Sequence, residues 1–169
     1  MQMKPAVTLL ALALLTPQVR ADAPAAPSIE MYVPTVCLAC IDYADYLRQA
    51  GFTVSVQRQK MLDLRATKET LGVPMGYQAI PSATIAGYFI EGHVPADDIR
   101  LLLEKKPDAR GLAVPGTPLG APGREVSNPT CETGCTTLDK TKGTERPRRE
   151  PFNTYLILKD GDSKVWWRH

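Results

Sequence analysis

The chain has 169 residues, enough for one domain with extensions, and 44% hydrophobic with 22% charged residues is ordinary for a folded soluble protein. A formal net charge of +2 gives no basis for binding nucleic acid or a charged membrane surface. No internal repeat or low-complexity tract is present, so solenoid and disordered classes are excluded as well.

The first segment reads as an export signal. Lys4 supplies a positive start, and Ala6 to Leu15 (AVTLLALALL) is an apolar run of signal-peptide length, too short to span a bilayer. Val19 and Ala21 are the small residues that a cleavage site needs. Residues 1–21 are therefore expected to be a signal peptide cut after Ala21, with Ala23 as second choice. No second apolar run follows, so the mature chain is expected to lack a membrane span and to work in the periplasm, where disulfides persist. Residues 22–27 form a short Ala/Pro-rich leader.

Ser28 to Val33 alternates and predicts a strand ended by Pro34. A helix follows from about Cys37 to Ala50, with Ile41, Ala44 and Leu47 on its inner face and Gly51 as its stop. Phe52 to Gln57 is a second alternating strand. The next helix ends at Gly72, with Met61, Leu64 and Leu71 inward. Ser82 to Ile85 and Tyr88 to Glu91 predict a hairpin turning at Ala86-Gly87. A further helix starts at Pro95, with Asp97 and Asp98 in its first turn and Lys105 and Lys106 in its last, as the helix dipole favours. Ile99, Leu102 and Leu103 face its core.

Pro107 to Thr130 holds five prolines and four glycines and reads as a long loop. Phe152 to Lys159 and Lys164 to Arg168 then predict a hairpin around Asp160-Gly161. Its Trp166 and Trp167 read as packing residues, with a partner-binding patch as the alternative. The order β-α-β-α-β-β-α over residues 28–106 is that of a thioredoxin-like α/β fold. A Pro/Gly-rich loop over 107–150 and a C-terminal β-hairpin over 151–169 extend it.

All four cysteines lie after the signal: Cys37, Cys40, Cys131 and Cys135. A pair with two residues between them serves as a redox dithiol, as half of a metal site, or as an inert disulfide. Neither pair is followed by His, which excludes c-type haem attachment. At a helix N-terminus the free N–H groups and the dipole stabilise a thiolate. Cys37 is then the attacking sulfur and Cys40 the resolving thiol. Ile80 to Gly92 (IPSATIAGYFIEG) resembles the X-Pro, strand, Gly turn, strand pattern of thioredoxins and glutaredoxins, which implies that Pro81 is cis and lies beside Cys37, shaping a groove for a substrate backbone; an ordinary trans proline opening a strand is the alternative. Cys131 and Cys135 read as a local disulfide, a second dithiol exchanging electrons with the first, or part of a shared metal site. No cofactor is required for the redox reading. The partners it implies are protein thiols and disulfides or an envelope redox protein.

The stretch Gly87 to Val126, with its "EGHVP" and "GLAVPG" segments, resembles a family of exported bacterial thioredoxin-like proteins tied to copper resistance, which includes the periplasmic CopG proteins. The resemblance implies a thioredoxin-like domain that binds copper through sulfur, with a redox role beside it. It also implies a third cysteine in the dithiol motif, where this chain has Ala39. A Cys and a His common before the third strand are absent around Pro81-Ser82-Ala83-Thr84. Methionines usual further on are Thr117 and Arg124. A Cu(I) site needs soft ligands, so redox chemistry ranks above copper. Copper binding through Cys37, Cys40, Cys131, Cys135 and His93 is the alternative, and a redox-inert accessory of an envelope assembly is the second. His93 has a plainer reading too, as a turn histidine satisfied by backbone.

Overall fold

The computed structural model describes residues 26–124 and 149–169. The expected signal peptide, Cys131 and Cys135 lie outside the described residues. The elements are β1 (Ser28–Pro34), α1 (Leu38–Gln49), β2 (Thr53–Gln59), α2 (Met61–Thr70), a single 3-10 turn (Met75–Tyr77), β3 (Ser82–Ile85), β4 (Tyr88–Glu91), α3 (Ala96–Lys105), β5 (Ala109–Ala113), β6 (Asn153–Leu158) and β7 (Ser163–Arg168). Up to α3 this is the predicted β-α-β-α-β-β-α order. The strands form one mixed sheet in the order β2-β1-β3-β4-β5-β6-β7. β1 runs parallel to β2, β4 runs parallel to β5, and the other neighbours are antiparallel.

Alternation along the strands divides the core in two. Ile29, Met31, Ala83, Ile90, Leu112 and Leu156 face α1 and α3 in the larger cluster. Phe89, Ala113 and Ile157 face the other way, with Val73. α2 covers part of that second side, where its Lys68 reaches Ser82 and Glu91.

Four sequence expectations shift. β1 runs through Pro34 rather than ending before it. Its pairing with β3 has stopped at Tyr32, so on that side the missing N–H leaves no partner stranded. The buried stripe of α1 is Cys40, Tyr43, Ala44 and Leu47, an i, i+3, i+4, i+7 series. Ile41 lies beside that stripe and is 40% exposed. Met61, expected inside, is 60% exposed: it stands on the same i, i+3, i+7 stripe as the buried Leu64 and Lys68, but as the first residue of α2 it lies at the end of that stripe.

The largest correction is β5. Residues 109–113 lie inside the segment read as loop, yet they pair with β4 on one side and β6 on the other. Gly111 makes this possible: a Cβ there would stand 2.0 Å from the Phe89 carbonyl oxygen. The glycine that reads as a loop signal is the residue that lets two strands approach. β5 thereby joins the C-terminal hairpin to the rest of the sheet.

Candidate functional site: a disulfide at the start of helix α1

Cys37 is the N-cap of α1, in an extended conformation (φ −159°, ψ 95°), and its Sγ accepts a hydrogen bond from the Cys40 N–H at 3.2 Å. One of the four unpaired donors of the helix start is thus aimed at the sulfur. Cys37 and Cys40 are joined as a disulfide with Cα atoms 5.3 Å apart. Cys40 is 1% exposed and belongs to the core, whereas Cys37 is half-buried at its edge. Of the two sulfur-bearing residues, Cys37 is therefore the less buried. The loop leading to Cys37 is tied to β2: Arg58 donates to the Thr35 carbonyl at 2.8 Å, and the Thr35 hydroxyl donates to the Gln59 carbonyl at 3.3 Å. Val36, Leu38 and Ile41, next to the two cysteines in the chain, are exposed apolar residues.

The Ile80–Pro81 peptide is cis. β3 begins at Ser82, paired with Tyr32 of β1. Residues 80 and 81 therefore precede β3 at the end of β1 from which the chain runs on to Cys37. Ile80 and Cys37 are both half-buried against the same core cluster. The Pro81 carbonyl accepts from the Gly92 N–H at 2.7 Å.

Below this segment lies a cluster that sequence reasoning missed. The Lys68 ammonium, from α2, donates to the Glu91 carboxylate, to the Ala79 carbonyl, and to the Ser82 hydroxyl at 2.6 Å. Glu91 Oε1 also accepts the Ala79 N–H at 2.6 Å. Both charged side chains are buried. Burial raises the Glu91 carboxyl pKa, against the pull of Lys68 and of the hydrogen bonds it accepts. A lysine on a polar helix reads as solvated, so only the charge of Glu91 at a strand end hinted at a partner.

His93 is 2% exposed, and its Nδ1 is hydrogen-bonded to the Pro122 carbonyl at 2.7 Å. Its ring lies 4.9 Å from that of Tyr43. Burial pushes the imidazole down to about 4, so it is neutral at pH 7 and Nδ1 carries the donated proton. This matches the plainer reading of a histidine satisfied by backbone. The loop that satisfies it also packs on α1: at Gly123 (φ +74°) a Cβ would stand 2.6 Å from the Tyr43 nitrogen. Tyr43 in turn donates to the Val94 carbonyl at 2.7 Å. Among the described residues, no three His, Cys, Asp or Glu side chains gather as a metal site. No helix among them is long and apolar enough to cross a membrane. Trp166 packs against the core and donates to the Asp98 carbonyl at 3.4 Å, whereas Trp167 is 55% exposed.

A family model described as a protein of unknown function, DUF411, matches residues 78–124. No curated protein matches. Two solved structures are similar over nearly their whole length. "Copper resistance protein copG- Form 1" is 30% identical, covering 84% of this chain and 96% of that one, with a TM-score of 0.68. "Copper resistance protein copG- Form 2" is 29% identical, covering 85% and 98%, also at 0.68.

Proposed function

Because the chain belongs to the family of the copper resistance protein CopG, we propose that it is a periplasmic, thioredoxin-like thiol–disulfide redox protein that works in copper handling. The observation that carries this reading is the pairing of a half-buried Cys37 at the N-cap of α1 with a buried Cys40 behind it. In the oxidised protein a partner thiolate attacks Cys37 Sγ. The Cys37–Cys40 bond breaks, and Cys40 leaves as a thiolate that takes up a proton. A second partner thiol loses its proton and attacks the partner's own sulfur in the mixed disulfide. Cys37 departs as a thiolate stabilised by the Cys40 N–H and the helix start. Two electrons pass from the partner dithiol to the protein, and the partner ends as a disulfide. The reverse sequence oxidises the protein. Pro81 shapes the groove, and protein thiols or an envelope redox protein are the substrates.

The names of the two similar structures favour a second reading, in which Cys37, Cys40, Cys131 and Cys135, with His93, bind Cu(I) as cargo without turnover. Thiolates are the soft donors Cu(I) takes. The test uses the mature protein. Its free thiols are counted, its dithiol potential is titrated against glutathione, and Cu(I) is added against a competing chelator. A dithiol potential in the oxidoreductase range with weak copper affinity is expected. Tight stoichiometric copper binding lost in Cys131→Ser/Cys135→Ser would overturn the redox reading. A disulfide that no thiol reductant opens would overturn it too.

A further inference from the structure

Burying two opposite charges costs several kcal/mol per ion, and an apolar pair of similar volume packs as well or better. The Lys68–Glu91 pair is therefore poorly explained as a source of stability. What it does that an apolar pair cannot is hold backbone. The Ala79 carbonyl ends on Lys68 and the Ala79 N–H ends on Glu91, so both main-chain groups of one loop residue are fixed by one ion pair. Ser82, at the start of β3, is tied to the same ammonium. Gly92 closes the other side: its N–H holds the Pro81 carbonyl, and a Cβ on it would stand 3.1 Å from the Ala79 Cβ. Ile80 lies between these anchors. Among the described residues neither its N–H nor its C=O has a hydrogen-bond partner.

We propose that Lys68 and Glu91 are positioning residues for disulfide exchange: by clamping Ala79 they hold Ile80 and Pro81 as a fixed wall beside the Cys37–Cys40 disulfide, along which the backbone of an extended, cysteine-bearing partner peptide lies during attack. The inference deepens the redox reading and rests on it. The bonds made and broken are those of the exchange above. Lys68 and Glu91 take no electrons and touch no sulfur. A small thiol carries no peptide backbone and gains nothing from the wall, so the two kinds of reductant separate a positioning role from a structural one.

The test compares the mature protein with a Lys68→Met/Glu91→Leu variant, an apolar replacement chosen to keep the fold. Each oxidised protein is reacted with dithiothreitol and with an unstructured peptide carrying two reduced cysteines, and its potential is measured against glutathione. The peptide rate is expected to fall about tenfold, with the dithiothreitol rate and the potential unchanged, since small misplacements of a reacting group are costly in rate. A peptide rate unchanged in the folded variant, or an equal fall with both reductants, overturns the proposal. Should the variant not fold, hydrogen exchange in the wild type decides. The Ala79 amide is expected to be protected like those of β4, and exchange as fast as at exposed Met75 overturns the clamp. A wild-type disulfide that reacts with neither reductant overturns the redox reading itself, and the proposal with it.

Discussion

His93 shows how one side chain can carry a pH dependence for the whole fold. Its imidazole is held neutral by burial, with a folded pKa of about 4 against 6.5 in an ordinary environment. As pH falls below 6.5 the unfolded chain takes up the proton first, so stability drops between about pH 6.5 and pH 4 and levels off below that. A shift of this size corresponds to about 3 kcal/mol of lost stability by pH 4. Urea denaturation across that range is expected to show the slope, and His93→Gln to flatten it. Glutamine keeps a donor for the Pro122 carbonyl but cannot take a proton. The sequence offers His93 as a ligand or a turn residue. The choice depended on Pro122, 29 residues away, which local pattern cannot bring into view.

The joint between α3 and the terminal hairpin is the element-scale counterpart. Asp98, buried in the first turn of α3, accepts from the Thr154 hydroxyl of β6 and lies 2.9 Å from His169 Nε2, just past β7. Its place near the helix N-terminus is readable from the dipole rule, but its tertiary partners are not. Asp98→Ala would take one buried partner from the Thr154 hydroxyl, leaving it His169 Nε2 at 3.2 Å, and would take the carboxylate from His169, at a cost of about 1–3 kcal/mol. The expected signs are a lower denaturation midpoint and faster amide exchange in β6 and β7 than in β1. Equal acceleration throughout the sheet would mean that the hairpin has no separate dependence on this joint. The β3–β4 hairpin, with its strong local signals, is found over the residues predicted. β5 has no such signals, because its strand conformation is imposed by neighbours on both edges.

For the molecule as a whole, the disulfide is a minor source of stability. It joins residues only 3 apart, and closing so short a loop stabilises by about 2 kcal/mol in the chain-entropy model. Cys37→Ser/Cys40→Ala is therefore expected to fold with an unchanged circular dichroism spectrum and a loss of about that size in urea. Collapse of the fold would instead assign the bond a structural role. The sequence by itself determined the element order through α3, the position of Cys37 at a helix start, and strands β1 to β4, because these follow from periodicity and capping within a few residues. Only the tertiary structure decided that Lys68 and Glu91 meet under Ala79, that His93 closes on Pro122, and that β5 is a strand. Each of these depends on groups far apart in the chain, whose pairing is fixed by which faces the sheet brings together and which buried polar atoms must then find partners.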